Sequence, residues 1–533
     1  MLELHGQQLI GNEASAEGPD TFHGMNPATG AQLPTAFHEA TAGEIDRAMQ
    51  LAADVFNEYR ARSVEDRATF LETIADEVDA LGDQLLETAN AETALPQEPR
   101  LKGERGRATN QMRLFAKVIR EGSWVDPRID LPQPDRKPLP KPDVRSMLVP
   151  IGPVVVFGAS NFPLAISVVG CDTVSALGAG CPVVVKAHPA HPGTCELLGI
   201  AVLKAAEKCN MPNGVFSMVH GTGNEVGRQL TEHPATQAVA FTGSLGGGRA
   251  VFDIAAKRPN PIPVYTEMGS TNPVFVLPGA LAERAKQIAA GYIQSVTLAV
   301  GQFCTNPGMV IGQKSDTLTE FVNEAASLAG GYAPTTQLHN GINQAFRAGV
   351  DRIDKTSGVA VAGRSETEAD ASASQAECVI FSTDVATFES NPHLSDEVFG
   401  PTSTVVQCDS RDEMLRIAKN LSGHLTATIH GTEEDINNNR DLLALLENKV
   451  GRIVFNGFPT GIEVCSAMHH GGPYPATTDG HFTSIGTGSI LRFVRPVCYQ
   501  GFPDGALPEE LRNQNTRGVW RLVDNELTKD NAN

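Results

Sequence analysis

The sequence predicts an α/β fold made of two parallel-sheet domains and a small β arm. Between residues 146 and 269, short apolar strands alternate with helical segments, a pattern typical of a parallel sheet covered on both faces. A second run of alternating strands and helices begins at NPVFVLP (272–278) and continues to about residue 480. At 533 residues the chain has room for about three structural units.

The elements of the first run are predicted from their apolar patterns. Strands are predicted in SMLVPIGPVVVFG (146–158), CPVVVKAHP (181–189), GVFSMVHG (214–221), QAVAFTG (237–243) and PVYTEMG (263–269). Helices are predicted in LAISVVGCDTVSALGAG (164–180), CELLGIAVLKAAEKC (195–209), NEVGRQLTEH (224–233) and GGRAVFDIAAKR (247–258). Upstream, residues 41–121 show apolar residues at helical spacing, with acidic residues near the segment starts, and are predicted helical.

Six prolines in DPRIDLPQPDRKPLPKPDV (126–144) indicate an extended arm, because proline cannot donate to a strand ladder. The segment GSILRFVRPVCYQGFP (488–503) looks like a strand that leaves the second domain and joins this arm. Such a sheet would bridge subunits, so a homo-oligomer, dimer or tetramer, is expected. The predicted units are a first domain (1–125 and 146–269), a second domain (270–484), an oligomerisation arm (126–145 and 485–502) and a C-terminal tail (503–533).

Composition excludes several classes of protein. The formal net charge of −20 argues against a nucleic-acid partner, which needs clustered Lys and Arg. Nine cysteines without a Cys-x-x-Cys pair predict neither a zinc knuckle nor a redox pair and suit a reducing compartment. No apolar run reaches about 18 residues, and the N-terminus does not resemble a signal peptide. We expect a cytoplasmic protein that contacts no membrane.

Four residues lie at the ends of strands of the first predicted sheet: Asn161, Lys186, Gly243 and Glu267. Each has an ordinary explanation, as a turn asparagine, a solvated lysine, a turn glycine or a surface glutamate. The carboxyl ends of parallel strands, however, meet at one edge of a sheet, where ligands bind. Their convergence therefore predicts a ligand site.

The stretch FTGSLGGGRA (241–250) opens a predicted helix directly after a strand. Ser244 can cap this helix, and Gly243 and Gly248 flank an N-terminus whose free N–H groups can face a pyrophosphate. HGTGNEVG (220–227) misses the G-x-G-x-x-G spacing by one residue and is explained by a turn into a helix. His188 and His191 lie near prolines and are interpreted as loop residues; no metal site is predicted.

The stretch VGQFCTNPG (300–308) places Cys304 between Phe303 and Thr305, with a glycine on either side. The cysteine is either a small buried hydrophobic residue or a nucleophile at the mouth of a pocket.

Six motifs in order resemble those of the NAD(P)-dependent aldehyde dehydrogenase superfamily, from Asn26 to about residue 500. They are FGASNFPL, VVVKAHP, FTGS with Gly248, TEMGSTNP, GQFCTNPG and EVFGP (397–401). The resemblance implies a fold with a Rossmann-type cofactor domain, a catalytic domain and a bridging β arm.

The resemblance also implies roles for these residues. Cys304 is the expected nucleophile, with the Asn161 amide and the Cys304 backbone N–H as oxyanion donors. Glu267 is the expected base that activates water against the thioester. For the cofactor, the implied contacts are Lys186, His188, Gly243, Ser244, Gly248, Glu397 and Phe399.

The sequence departs from the family pattern at two places. NAD-preferring members carry a glutamate three residues after the lysine, where this chain has Pro189, preceded by His188. Without that carboxylate a 2′-phosphate meets no like charge, so NADP is the expected cofactor, with NAD possible. The segment HHGGPYPATTDGHFTSIG (469–486) lacks the usual Pro-Phe-Gly-Gly-x-Lys frame, which leaves the floor of the substrate pocket undefined.

These departures resemble a subgroup that contains NADP-linked α-ketoglutarate semialdehyde (2,5-dioxopentanoate) dehydrogenases and bacterial long-chain fatty aldehyde dehydrogenases. The former is the favoured analogy, with 2-oxoglutarate as product. A carboxylated substrate suits an arginine, which Arg107 or Arg113 can supply unless both are solvated helix residues. Phe162, Phe303 and Thr305 are the other expected pocket residues.

Three alternatives stay open at this point. A cysteine amidase uses similar residues without a dinucleotide. A related dehydrogenase passes the thioester to coenzyme A, although Glu267 favours hydrolysis. The third alternative is a catalytically silent binding or structural protein on this fold. Such a protein has no chemical need to retain Asn161, Glu267 and Cys304 together.

Overall fold

The structure is a computed structural model that describes residues 2–532. Its α-helices are α1 (Ala42–Arg60), α2 (Val64–Ala80), α3 (Gly82–Thr93), α4 (Lys102–Glu121), α5 (Cys171–Ala179), α6 (Pro192–Lys208), α7 (Asn224–Glu232), α8 (Leu245–Ala256), α9 (Pro278–Thr297), α10 (Asp316–Gly330), α11 (Asn340–Asp354), α12 (Val385–Ser390), α13 (Arg411–Asn420), α14 (Glu433–Asn438) and α15 (Arg440–Glu447).

The strands of the first half are β1 (Gln8–Ile10), β2 (Glu13–Ser15), β3 (Thr21–Met25), β4 (Gln32–His38), β5 (Arg128–Asp130), β6 (Val144–Pro150), β7 (Val154–Phe157), β8 (Val183–Lys186), β9 (Phe216–Val219), β10 (Ala238–Thr242) and β11 (Val264–Glu267). Those of the second half are β12 (Val274–Val276), β13 (Met309–Gln313), β14 (Thr335–Thr336), β15 (Ala360–Arg364), β16 (Gln375–Ala376), β17 (Val379–Asp384), β18 (Thr402–Cys408), β19 (His424–His430), β20 (Val450–Phe455), β21 (Val494–Gln500), β22 (Arg521–Val523) and β23 (Glu526–Thr528).

The first sheet has the order β11-β10-β7-β8-β9-β1-β2, and its five strands from β11 to β9 are parallel. One face is covered by α2, α4, α5 and α6, whose apolar residues form the largest hydrophobic cluster. The other face packs against α1, α7 and α8. Most residues of the five parallel strands are buried, which is why these segments are mainly apolar.

The second sheet has the order β15-β17-β18-β13-β12-β19-β20 and is parallel except for β15, which pairs antiparallel with β17. Helices α9 and α10 cover one face, and α11, α12, α13 and α15 cover the other. The predicted α/β architecture with two parallel-sheet layers is confirmed.

The arm is a five-stranded sheet with the order β21-β6-β5-β22-β23. The strand near residue 494, β21, runs antiparallel to β6 over seven residue pairs. The proline-rich segment contributes β5, which pairs with β6 and not with β21. The C-terminal segment adds two strands, β22 and β23, to this sheet. It is therefore part of the arm sheet, and treating it as a separate tail misses this pairing.

Two predicted elements differ in extent. The single strand predicted over 146–158 is two strands, β6 in the arm and β7 in the first sheet, separated at Ile151–Pro153, where Gly152 has φ of 129°. The helix predicted over 164–180 begins only at Cys171, because Gly170 precedes it as the N-terminal residue in extended conformation. Apolar pattern alone did not reveal either break.

Among residues 2–532, no helix combines the length and the apolarity needed to cross a bilayer. The carboxyl edge of the first sheet lies opposite the loop that carries Cys304, residues 298–308, and a cleft lies between them.

Candidate active site

A cleft of about 800 Å³ lies at the carboxyl edge of the first sheet. We call it the central cleft. Its walls come from both sheet domains and include these residues named in the sequence analysis: Asn161, Lys186, His188, Gly243, Ser244, Glu267, Cys304, Glu397 and Phe399. The four strand-end residues that the sequence brings to one edge therefore line a single space.

The loop that carries Cys304 has an unusual backbone. Ala299, Val300 and Gly301 have φ of 48°, 59° and 67°, a left-handed run that costs energy in the two non-glycine residues. A Cβ on Gly301 would lie 2.2 Å from the backbone carbon of Gly400, so only glycine fits there. This close approach docks the cysteine loop against the EVFGP segment.

Cys304 is half-buried and lines the central cleft. Confinement in the cleft raises its pKa well above the ordinary value, and the negative charge of Glu267 raises it further. The thiol is therefore protonated at neutral pH in this state, and it needs a nearby base before it can act as a nucleophile.

Glu267 ends β11 and is almost fully buried, at 3% exposure. Burial raises the pKa of this carboxyl, but neighbouring His470 and the hydroxyl of Ser484 outweigh burial, so the net pKa lies below the ordinary value. Its Oε1 lies 2.8 Å from His470 Nε2, and its Oε2 accepts from Ser484 Oγ. Glu267 is thus a charged carboxylate held beside the thiol.

Asn161 follows β7 and is buried at 9% exposure. Its side-chain Nδ2 donates to the backbone oxygen of Gln302 at 3.1 Å, and its own backbone oxygen accepts from Arg100 at 2.9 Å. The amide is thereby fixed beside the loop that carries Cys304, where its other N–H is available to a developing oxyanion.

The other end of the cleft suits a phosphate. Ser244 caps α8 by accepting from the Gly247 N–H at 3.2 Å. A Cβ on Gly246 would meet no atom within 4 Å, so the helix N-terminus is open to a ligand. Gly248 is buried behind this surface, where a Cβ would lie 2.7 Å from Met268; its lack of a side chain lets α8 approach β11.

Lys186 ends β8 and donates to the backbone oxygen of Gly221. Burial lowers the pKa of its ammonium group to about 8, although Cys195 and Glu39 act in the opposite direction. His188 is half-buried and stacks on His191 at 5.2 Å between ring centroids. Burial and its charged neighbours lower the His188 pKa well below the ordinary value, so the ring is neutral at neutral pH.

Glu397 lines the cleft from the second domain, and a Cβ on Gly269 would lie 2.5 Å from its Oε2. Phe399, two residues on, lines the same wall. Glu397 therefore stands close to the segment that begins at Glu267.

The expected pocket residues beside the thiol are grouped around two aromatic rings. Phe162 and Phe303 meet edge to face at 5.2 Å, and the guanidinium of Arg107 lies 5.6 Å from the Phe162 ring. Among residues 2–532, Arg107 forms no hydrogen bond or ion pair. It lies close enough to Cys304 for its positive charge to act to lower the pKa of the thiol. Thr305, which follows Cys304 in the same loop, is fully buried.

Arg113 is placed elsewhere. Its guanidinium donates to Asp76 at 2.8 Å and to Asp79 at 3.0 Å, both on α2, and it is 36% exposed. This residue does not reach the cleft, because its position on α4 turns it toward the outer helix layer. Of the two arginines considered for the substrate carboxylate, the structure brings only Arg107 near Cys304.

Sequence reasoning missed His470 and Ser484. Both belong to the segment 469–486, which departs from the family pattern and in which the sequence predicts no functional residue. A carboxylate oxygen of Glu267, the sulfur of Cys304 and a ring nitrogen of His470 lie within 4.8 Å of one another. Mutual hydrogen bonding accounts for that spacing, and we assign no metal to it.

A sequence profile of the aldehyde dehydrogenase family matches residues 14–473. The chain is 48% identical to alpha-ketoglutaric semialdehyde dehydrogenase 2 of Azospirillum brasilense over 98% of this chain and 99% of that protein. It is 43% identical to alpha-ketoglutaric semialdehyde dehydrogenase of Acinetobacter baylyi over 99% and 100%. In fold it is similar to an NAD+ complex of an aldehyde dehydrogenase from Bacillus cereus, with a TM-score of 0.78, 21% identity and coverage of 93% and 96%.

Proposed function

The chain belongs to the aldehyde dehydrogenase family, and from that premise we propose that it oxidises α-ketoglutarate semialdehyde (2,5-dioxopentanoate) to 2-oxoglutarate. Cys304 serves as nucleophile, Glu267 as base and Asn161 as oxyanion donor. The observation that carries this proposal is that all three line one cleft with an open helix N-terminus at its other end.

The residues of the cleft fit a nicotinamide dinucleotide. The open N-terminus of α8 suits the pyrophosphate, since its unpaired N–H groups and dipole favour negative charge. Lys186 and Glu397 would hold the two riboses, with Phe399 beside the latter. When bound, the dinucleotide supplies the acceptor for the hydride that leaves the substrate carbon.

The steps of the protein's own residues follow from their charges. Glu267 accepts the thiol proton of Cys304, and the thiolate sulfur then bonds to the aldehyde carbon. The oxyanion that forms accepts hydrogen bonds from the Asn161 side chain and the Cys304 backbone N–H. After oxidation the product is a thioester on Cys304. Glu267, once it has released the proton to solvent, takes a proton from water as that water attacks the thioester carbon.

NADP is the proposed preferred cofactor. Pro189 stands where a carboxylate would otherwise receive a ribose hydroxyl, so a 2′-phosphate near Lys186 meets a cation and no anion at that position. His188, on the same wall, can donate a hydrogen bond to the phosphate in its neutral form.

The substrate assignment is supported by two full-length relatives whose names state this aldehyde. A physical argument supports it as well. The guanidinium of Arg107 has no partner among residues 2–532 and faces the neighbourhood of Cys304, so it is available to the carboxylate of a short semialdehyde.

The proposal includes a homo-oligomer that is joined through the arm sheet. Large apolar side chains are exposed on or next to that sheet, namely Leu139, Phe502, Trp520 and Leu527. A cytoplasmic location is also proposed, because all nine cysteines are unpaired, as suits a reducing compartment.

The test is a substrate screen with the purified protein. 2,5-Dioxopentanoate, glutarate semialdehyde and a long-chain aldehyde are each supplied with NAD and with NADP, and formation of the reduced cofactor is followed by absorbance. The highest kcat/KM is expected for 2,5-dioxopentanoate with NADP. Preference for the long-chain aldehyde would replace the substrate assignment. Amide cleavage without any reduced cofactor would overturn the reaction class, and dependence on added coenzyme A would exclude hydrolysis by Glu267.

A further inference from the structure

His470 stands between the two reacting acids of the cleft. Its Nε2 lies 2.8 Å from Glu267 Oε1 and 3.5 Å from Cys304 Sγ, and its side chain is completely buried. None of the sequence motifs assigned a role to this residue, which is 203 positions from Glu267 and 166 from Cys304.

The surrounding loop fixes the ring. The His470 backbone N–H donates to Thr483 Oγ1 at 2.8 Å, and the His470 backbone oxygen accepts from the Ser484 N–H at 2.8 Å. Ser484 Oγ in turn donates to the other oxygen of Glu267. The segment that carries the histidine is thus tied to the same carboxylate through two side chains.

The hydrogen-bond pattern identifies the tautomer of the ring. Nδ1 is buried, and it has no partner among residues 2–532. A proton on Nδ1 would be a buried donor without an acceptor, which is costly. The proton therefore belongs on Nε2, the atom that faces both Glu267 and Cys304.

We propose that His470 is a positioning residue whose single Nε2–H stabilises negative charge first on Glu267 and then on Cys304. The proposal rests on the proposed function, in which these two residues act as base and nucleophile. In the resting state the N–H donates to the Glu267 carboxylate.

The proton balance of the step is simple. The S–H bond of Cys304 breaks and an O–H bond forms on Glu267, while the Nε2–H of His470 stays in place throughout. Negative charge moves from the carboxylate to the sulfur, and the same N–H turns to the thiolate 3.5 Å away. The hydrogen bond from His470 thereby stabilises the Cys304 thiolate. This opposes the burial and the nearby Glu267 charge, both of which favour the protonated thiol.

Other charged or titratable residues, on elements packed around the site, also act electrostatically on Glu267, Cys304 or His470. A test of His470 must leave these residues unchanged. They are Asp172 on α5, Arg107 on α4, Glu397 on the cleft wall, Arg452 on β20 and His469 beside the histidine itself. The variants below leave all of them in place, apart from the control at His469.

The test compares two substitutions. His470→Gln keeps an N–H donor near the position of Nε2, and His470→Leu removes it. His469→Leu is the matched control, because it changes the neighbouring histidine, which makes no hydrogen bond to Glu267 or Cys304. Two quantities are measured in each: the pH dependence of kcat/KM, and the rate of Cys304 alkylation by iodoacetamide without substrate, with Cys304→Ser as the background for the other cysteines.

For His470→Leu we expect kcat/KM to fall about 100-fold, as for loss of a preorganised donor. The alkylation rate at neutral pH should fall about tenfold or more, because the thiolate loses its donor. The acidic limb of kcat/KM should shift to higher pH, because a carboxylate without the N–H is protonated more easily. His470→Gln should keep most of the activity, and both limbs of its kcat/KM–pH profile should stay at the parent's pH values. His469→Leu should equal the parent protein in kcat/KM, in its pH profile and in alkylation rate.

The inference would be overturned if kcat/KM fell equally in His470→Gln and His470→Leu. It would also be overturned if His470→Leu kept both the pH profile of kcat/KM and the alkylation rate of the parent protein. If His470→Leu does not fold, as judged by thermal melting and NADP binding, His470→Asn replaces it, since its amide does not extend to the Nε2 position. Failure of the proposed function is distinguishable: in that case aldehyde oxidation would persist after Cys304 is alkylated or replaced by serine, whatever residue stands at 470.

Discussion

The side-chain amide of Asn272 donates to the backbone oxygen of Cys304 at 2.9 Å and to that of Asn306 at 2.8 Å. Its Oδ1 accepts from Ser270 and Thr426, and the residue is completely buried with φ of 46°. One side chain therefore connects the segment after Glu267, the second sheet and the loop that presents the thiol.

Asn272→Ala should lower both stability and turnover. Two buried carbonyls lose their donor, which costs roughly 2–4 kcal/mol of unfolding free energy, and the cysteine loop loses its anchor, so kcat should fall at least tenfold. Asn343→Ala is the matched control, because the buried Asn343 amide also donates two hydrogen bonds, to Gln337 Oε1 and to the Gln375 backbone oxygen, but none to this loop. Similar destabilisation in both variants, measured by denaturant unfolding, with a kcat loss only in the first, supports the anchoring role; equal kcat values contradict it.

Replacing Cys304 by alanine should abolish turnover while leaving the dissociation constant for NADP within a few-fold of the parent value. Cys171→Ser is the control, since its sulfur is buried against Ser489 Oγ at 3.1 Å, and burial raises its pKa to about 11. Such a thiol stays protonated and inert. Steady-state rates and cofactor titrations check both; substantial oxidation by Cys304→Ala would mean that another group is the nucleophile.

Much of the first sheet could be predicted from sequence because its parallel strands β7 to β10 are mainly apolar and each is followed by a turn into a helix. The convergence of Asn161, Lys186, Gly243 and Glu267 follows from that topology alone, since parallel strands end at one edge. The break at Gly152 was not predictable in this way, because β6 and β7 are both apolar and only tertiary pairing separates them.

The contacts of His470 with Glu267 and Cys304 depend on the path of the loop that carries it. This loop has no helix or strand periodicity, so the sequence does not predict its path. Its only signal was the departure of the segment 469–486 from the family frame. Similarly, Arg107 and Arg113 lie on the same helix, and the sequence does not distinguish them. The acidic residues of α2 distinguish them, since they pair with Arg113, whereas Arg107 lies against Phe162 near Cys304.

Glu267→Gln should slow both steps in which Glu267 accepts a proton. The amide can take a proton neither from the Cys304 thiol nor from water, so rapid mixing should give a slowed first turnover without a burst of reduced cofactor, and a steady-state rate at least 100-fold below that of the parent protein. In the parent, activity should fall as pH drops through the lowered pKa of Glu267, because the protonated carboxyl is no longer a base. Unchanged steady-state turnover in the variant would remove Glu267 from the mechanism.

Pro189→Glu should reverse the cofactor preference. The introduced carboxylate repels a 2′-phosphate and accepts from a free 2′-hydroxyl, so KM for NADP should rise about tenfold or more while KM for NAD falls. Lys186→Ala or His188→Ala should raise KM for NADP more than KM for NAD. In the parent protein, KM for NADP should also rise as pH passes about 8, where Lys186 loses its charge. Equal effects on both cofactors would contradict a 2′-phosphate site at this wall.

Arg107→Leu should raise KM for 2,5-dioxopentanoate by about 10- to 100-fold, because the substrate carboxylate loses a charged hydrogen-bond partner. Turnover of an uncharged aldehyde of similar length should change little, since the thiol and the base remain. Arg113→Leu is the matched control on the same helix: it removes only a partly exposed pair with Asp76 and Asp79, which contributes little to stability, and should leave both KM values unchanged. A loss that is equal for charged and uncharged aldehydes would mean that Arg107 supports the pocket through its contact with Phe162 and does not bind the carboxylate.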